Sequence, residues 1–256
     1  MPVIAVFGAG PGLGRSVARK FGQMGYQVVL VARTQGKLDA LAAELSRYGI
    51  RAYPVAADLS KPEQMGDLAE RIREVAGDPE VIYYAPTSPE MTFVPATELT
   101  GERVEATTSI LLTSLVELVQ QFLPSMMENG RGAILTAQGA TALTGVPKMS
   151  GPGPAMAAQR NYLQALGKEL EPKNVFVGRM YISSLIENSA IHQTLEKSGK
   201  KLPDMALVNP DELAEKLWRM QEKRHPHEVS VPALSKLYFP LTATAPVQKI
   251  MARFAK

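Results

Sequence analysis

Residues 1–14 read MPVIAVFGAGPGLG, and the fold follows from this opening. Val3 to Phe7 is a short apolar run rich in β-branched residues and ending at Gly8, the pattern of a parallel strand buried on both faces. Beyond the glycines, Val17, Ala18 and Phe21 recur at helical spacing. Gly25 closes that helix, and a second apolar run follows from Val28 to Val31. Strand, tight turn, helix and strand within about thirty residues is the layout of a dinucleotide-binding βαβ unit. Gly8 permits the sharp exit from the strand. Gly12 removes a side chain where phosphates approach the backbone, and Gly14 lets the helix lie close on the sheet. The free N–H groups and the positive end of the helix dipole then face a diphosphate, with Gly10, Pro11 and Leu13 completing the turn. The spacing is GxxxGxG through Gly8, Gly12 and Gly14; a GxGxxG reading from Gly8 and Gly10 would put its last glycine on Leu13.

The end of the second strand discriminates between cofactors. A carboxylate there accepts hydrogen bonds from a ribose 2′-hydroxyl, whereas a basic residue pairs with a 2′-phosphate. The chain has Ala32, Arg33 and Thr34, with no carboxylate before Asp39. Guanidinium suits phosphate, so NADP(H) is favoured over NAD(H).

Further along, strand and helix patterns alternate. Leu38, Leu41, Ala42 and Leu45 form a helical stripe, and Arg51 to Ala57 reads as a third strand ending at Asp58. Ser60-Lys61-Pro62-Glu63 has the form of a capping box opening a helix to Ala76. Val81 to Ala85 is a fourth strand, and Pro86, Pro89 and Pro95 break the loop after it. A long helix over Glu102 to Glu128 is expected to kink or end at Pro124. Ala133 to Ala137 is a fifth strand, Gln138 to Pro154 a glycine- and proline-rich loop, Ala155 to Leu170 a helix, and Val175 to Ile182 a sixth strand. Residues 183 to 208 show no clean period and are expected to form a substrate lobe or lid. Asn209-Pro210-Asp211-Glu212 caps a helix reaching Lys223, Val229 and Val231 suggest a seventh strand, and the tail reads as partly helical. The prediction is one domain over 1–256, a Rossmann-like α/β fold with a doubly wound parallel sheet of about seven strands and helices on both faces. Ligands in such folds sit beyond the carboxyl ends of the strands.

The composition, 45% apolar and 21% charged, is that of a globular protein with a sizeable core. The net charge of +3 is small and the basic residues are scattered, which argues against nucleic acid as a partner. There is no cysteine, so disulfides, thiolate catalysis and cysteine-bound metal are excluded. Three histidines are too few and too distal for a metal site. No run reads as membrane-spanning and no signal peptide fits, so the expectation is a cytoplasmic protein with no membrane partner.

The motifs in order resemble the short-chain dehydrogenase/reductase family along nearly the whole chain. GAGPGLG resembles that family's glycine turn, and Ala57-Asp58-Leu59 resembles its adenine-contacting strand end. FLPSMMENGRGAILTA (122–137) is similar to its helix-to-strand passage, and AAQRNYLQALGKEL (157–170) to the helix carrying its catalytic lysine. The resemblance implies chemistry by an Asn, a Ser, and a Tyr with a Lys four residues on. The phenol serves as general acid–base, the ammonium lowers its pKa and the serine polarises the carbonyl. Aligned on the flanking motifs, the asparagine falls on Leu111, the serine on Gly139, the tyrosine on Pro152 and the lysine on Met156. None of the eight tyrosines has lysine at the fourth position after it, so no shift of register restores the pair. The family's Asn-Asn-Ala-Gly appears as Tyr83-Tyr84-Ala85-Pro86, and its Pro-Gly after the sixth strand as Ile182-Ser183. The two tyrosines are read first as core and second as a stacking surface for a ligand.

Two readings of function remain. One is an NADP(H)-binding sensor, scaffold or partner protein without turnover. The other is an atypical oxidoreductase acting on a carbonyl or alcohol, its substitute donors drawn from Gln138, Tyr181 and Ser183. The family commonly pairs two long helices between subunits, and Ile110, Leu111, Leu112, Leu115, Val116 and Val119 would give the 102–128 helix apolar surface for a homo-oligomer.

Overall fold

A seven-stranded sheet forms the centre of the computed structural model, which describes residues 1–88, 91–197 and 207–232. Its strands are β1 (Val3–Phe7), β2 (Gln27–Ala32), β3 (Ala52–Ala56), β4 (Val81–Tyr84), β5 (Gly132–Gly139), β6 (Val175–Ile182) and β9 (Glu228–Val231). Their order is β3-β2-β1-β4-β5-β6-β9, and every pairing is parallel. The order reverses between β1 and β4, which opens the crevice where such sheets bind ligands. All five residues of β1 are buried, with Val3, Ala5 and Phe7 on one face and Ile4 and Val6 on the other, as the continuous apolar run requires.

Helices cover both faces. On one lie α3 (Met65–Ala76), α5 (Ser114–Glu128) and α6 (Gly153–Leu170); on the other lie α1 (Leu13–Gln23), α2 (Gln35–Ser46) and α8 (Pro210–Lys223). The predicted fold is therefore the observed one. Asn209 caps α8 through its side-chain oxygen, which accepts from the Asp211 N–H at 2.8 Å, and Pro210 takes the first helical turn.

Local expectations differ in five places. Ser60 does not form a capping box: its N–H and hydroxyl both donate to Asp58 Oδ1, at 3.0 and 2.8 Å, and a 3₁₀ turn over Pro62–Gln64 precedes α3. The long helix neither ends nor breaks at Pro124, which lies inside α5. The irregularity falls earlier, where α4 (Gly101–Thr108) joins α5 through a π-helical turn at Ser109–Thr113. Strand β5 runs on through Gln138 and Gly139, and α6 begins at Gly153, so the intervening loop is shorter than Gln138–Pro154.

The fourth difference concerns the helical stretch Gly101–Glu128. By length and composition it could cross a membrane, against the expectation that no run could. Its apolarity is used inside the fold: Leu115, Leu118, Val119, Phe122 and Met126 pack in the core beside the sheet. Fifth, and for the same reason, Ile110, Leu111, Leu115 and Val119 are not free surface for a second subunit; Leu112 and Val116 alone of the six are partly exposed. Within the 183–208 lobe lie β7 (Leu185–Ile186), α7 (Ala190–Lys197) and β8 (Leu207–Val208), with β7 and β8 paired in parallel. Residues 198–206 of the lobe, Pro89 and the tail expected to be partly helical lie outside the described residues.

Candidate functional site

The glycine turn stands where β1 ends. Gly8 has φ +98°, and a Cβ there would lie 2.6 Å from the Ala85 carbonyl oxygen and 3.0 Å from Pro86 Cα, so strand β4 closes against it. A Cβ on Gly14 would lie 2.2 Å from the Gly8 carbonyl oxygen, because α1 returns across the strand end. Glycine is required at both places, by the positive φ at Gly8 and by the close helix–strand approach at Gly14. Gly12 differs: its Cβ would meet Ser189 Cα at 3.0 Å and Ser189 Cβ at 3.1 Å. The neighbour at this bare backbone is the turn before α7, so the 183–197 segment reaches across to the phosphate turn. Ser189 is held there by capping α7, its Oγ accepting from the His192 N–H at 3.1 Å.

The start of α1 has the features of an anion site. No side chain caps it and no acidic residue lies in its first turn, which leaves donors of the first turn and the positive dipole end uncompensated. Leu13 itself packs into the core, while Pro11 is exposed. At the end of β2, Arg33 is exposed and makes no hydrogen bond or ion pair among the described residues. Thr34 caps α2 by position without a side-chain bond. Asp58 follows β3. Burial opposes its charge, but the two Ser60 bonds and the nearby Arg33 and Lys61 charges bring its carboxyl below the ordinary 3.8. Leu59 is buried in the core and its carbonyl accepts from Ser114 Oγ at 2.8 Å, so a ligand at this strand end would meet backbone there. These groups occupy the ends of four adjacent strands.

Of the four positions onto which the sequence resemblance maps catalytic residues, Gly139 and Met156 lie together, with Gly153 beside Pro152 close by. Cβ atoms built on Gly139 would lie 3.5 Å from Met156 Sδ and 3.5 Å from Thr141 Oγ1, and one on Gly153 would lie 3.7 Å from Thr141 Cβ. Pro152 is the residue before α6. Leu111 lies in the π-helical turn with its side chain in the core, and its carbonyl accepts from the buried Gln159 amide. Gln159 escaped the sequence reading because a polar residue in a helix normally faces water; here it turns inward to a carbonyl of the irregular turn. Thr141 was missed because only the 3₁₀ turn at Ala140–Ala142 folds it back over Gly139.

The substitute donors have surroundings of their own. Gln138 is 7% exposed, and both atoms of its amide are enclosed without a partner among the described residues. The Tyr181 hydroxyl donates to Glu228 Oε1 at 3.0 Å; burial first, then the Glu228 charge, pushes its pKa up. Ser183 is tied to the Val231 carbonyl by its N–H at 3.0 Å. Tyr83 and Tyr84 are each 1% exposed, with Tyr84 bonded to the Ile110 carbonyl: both are core. Arg160, one turn beyond Met156, pairs with Glu228 at 3.1 Å. A cleft of about 390 Å³ opens beside Gln164, Lys168 and Glu228, on the far half of α6 from Pro152 and Met156. Among the described residues no cluster of side chains could hold a metal ion.

With this geometry in place, the likenesses to known proteins are informative. Residues 2–196 match the short chain dehydrogenase family. A very-long-chain 3-oxoacyl-CoA reductase from Aspergillus terreus is 31% identical over 177 residues, 67% of this chain and 49% of that protein. The chain thus spans about half the length of this curated relative. A short-chain dehydrogenase from Sphingobium yanoikuyae, solved with NADPH, superposes with a TM-score of 0.78 at 23% identity, covering 98% of this chain and 96% of that one. An NADPH-bound short chain oxidoreductase from Pseudomonas aeruginosa PAO1 with an atypical catalytic center gives a TM-score of 0.78 at 21% identity, covering 92% and 97%.

Proposed function

The chain belongs to the short chain dehydrogenase family, and from that premise we propose that it binds a nicotinamide dinucleotide, NADP(H) before NAD(H), at a site without the family's acid–base pair. The uncapped start of α1 and its glycines would hold the diphosphate. Arg33 and Thr34 would meet the 2′-phosphate, Asp58 and the Leu59 backbone the adenine, and Ala85 and Pro86 the adjoining ribose. When bound, the reduced cofactor supplies a hydride. The chain supplies no titratable group at 111, 139, 152 or 156 to move a proton to or from a reacting oxygen.

One observation carries this reading. Gly139, Gly153 and Met156 converge on one small volume, and the groups meeting there are a thioether, a hydroxyl and bare backbone. The protein then acts as an NADP(H)-responsive binding protein. Loss of a general acid typically costs 10²–10⁴ in rate, so slow turnover of a carbonyl or alcohol is the second reading, favoured by the hydroxyl of Thr141.

Two measurements decide. Fluorescence titration should show NADPH bound at least about tenfold more tightly than NADH, as a paired guanidinium–phosphate contact implies; equal affinities would defeat the NADP(H) preference, and no binding would defeat the reading. NADPH oxidation across a panel of carbonyls should stay far below the 1–10³ s⁻¹ of ordinary enzymes, on the order of 10²-fold slower or more. Turnover at ordinary rates would show that the missing pair has been fully replaced.

A further inference from the structure

Thr141 stands beside three of the four cleared positions. It is 8% exposed, with its Oγ1 3.5 Å from where a side chain at Gly139 would begin and its Cβ 3.7 Å from one at Gly153, next to Pro152. Among the described residues its hydroxyl makes one hydrogen bond, to Met156 Sδ at 3.6 Å. A thioether is a weak acceptor, so this donor gains when an oxygen replaces the sulfur. Met156 is the group able to move aside, being unbranched, polarisable and tolerant of repacking.

Apolar side chains form part of the neighbouring wall. Met91 and Met156 pack on the same core. The Thr92–Val94 strand of loop is fastened over the start of α6: the Val94 carbonyl accepts from the Ser150 N–H at 2.9 Å, and Gly151 abuts Thr92 and Phe93 so closely that a Cβ there would lie 3.3 Å from Phe93 Cα. Phe93 itself is 44% exposed beside this junction. Against Met91, Met156 and Phe93 a charged ligand would lose its hydration without gaining a partner, and Thr92 on the same loop already accepts from Arg103 Nη2 at 2.6 Å.

We infer that the cleared site takes an apolar molecule bearing one hydrogen-bond-accepting oxygen, and that the Thr141 hydroxyl, released from Met156, meets that oxygen. Thr141 is thus a ligand-positioning residue standing where the family's serine and tyrosine converge. The inference rests on the reading that this face of the molecule is the dinucleotide site, and the two fail separately.

The test uses cyclohexanone, its hydrocarbon counterpart methylenecyclohexane and the hydrophilic carbonyl dihydroxyacetone. Each is titrated by calorimetry or saturation-transfer NMR into the full chain, with and without saturating NADPH. Cyclohexanone should bind about fivefold more tightly than methylenecyclohexane, the scale of one net hydrogen bond. Thr141→Val should erase that difference while still binding the hydrocarbon, and Thr141→Ser should retain it. Equal binding of ketone and hydrocarbon, including binding of neither, overturns the inference. So does a preference that survives Thr141→Val, or dihydroxyacetone bound as tightly as cyclohexanone. A protein that binds NADPH yet shows no ketone preference defeats this inference alone; one that shows the ketone preference but binds no NADPH defeats the cofactor reading alone.

Discussion

A methyl group added at Gly14 would lie 2.2 Å from the Gly8 carbonyl oxygen, whereas one added at Gly139 would find nothing nearer than 3.5 Å. Both glycines sit near the carboxyl ends of neighbouring parts of one sheet, yet they are glycine for different reasons. At Gly14 the approach of helix to strand leaves no room for a side chain. At Gly139 the fold imposes no such demand, since a Cβ there would meet its neighbours at ordinary van der Waals distance. The glycine turn is fixed by packing, whereas the surroundings of Gly139 leave room for a side chain to begin.

The sharpest way to break this comparison is to make one substitution at both places. Gly14→Ala should lower stability by about 4 kcal/mol, roughly 10 °C in Tm for a domain of this size, and abolish NADPH binding. A variant with wild-type melting would show that α1 can back away from β1, and the distinction would fall. Next in size is Arg33→Ala, which should weaken NADPH about 10- to 100-fold in titration and leave NADH nearly unchanged. An equal loss for both nucleotides would mean that Arg33 serves the fold and not the 2′-phosphate.

Glu228 probes how firmly the cleared side is held. Its carboxylate accepts from Arg160, Gln164, Arg179 and Tyr181, tying β9 to α6 and β6. Burial alone would raise its pKa, but the Arg160 bonds and charge, the Tyr181 bond and the Arg179 charge bring it below the ordinary 4.5. A depressed folded-state value means that the ionised form stabilises the fold: the contribution is complete above 4.5 and is lost as pH falls through the lower folded value. Glu228→Gln should therefore cost roughly 1–3 kcal/mol at neutral pH, and the gap to the wild-type protein should close as denaturation is repeated at progressively more acid pH below 4.5. A gap independent of pH would show that packing, not charge, holds this corner. The smallest effect belongs to Gly139→Ala, which should change stability by less than about 1 kcal/mol and leave NADPH affinity intact. A loss comparable to that at Gly14 would refute the idea that the site is free to vary.

Much of the scaffold was legible in advance because buried parallel strands announce themselves as unbroken apolar runs. Val3–Phe7, Val81–Tyr84 and Val175–Ile182 needed no tertiary information, nor did the Asn209 cap. Misreadings came where one residue had two local options. Ser60 could cap α3 or bond to Asp58, and it bonds to Asp58. Pro124 looked like the breaking point of the long helix, but the break is the π-helical turn at Ser109–Thr113, and the run that resembles a membrane span or a subunit surface is mostly core. Of the site, the glycine turn was legible, whereas the contacts of Gln159, Thr141 and Ser189 were not. Each reaches its partner across 15 or more residues, with nothing in its own neighbourhood to reveal it.

The sequence by itself determined the doubly wound sheet, the glycine turn through Gly8, Gly12 and Gly14, the basic residue at the end of β2, and the absence of a tyrosine followed by lysine four residues on. These are properties of hydrophobic period and residue type, which local chain geometry converts directly into structure. Only the tertiary structure decided what surrounds those residues. It enclosed Gln138, turned Tyr181 toward Glu228, brought Ser189 against Gly12 and set the Thr141 hydroxyl between Gly139 and Met156. Those outcomes depend on which segments meet when the strands are laid side by side, and a contact of that kind has no periodicity to read.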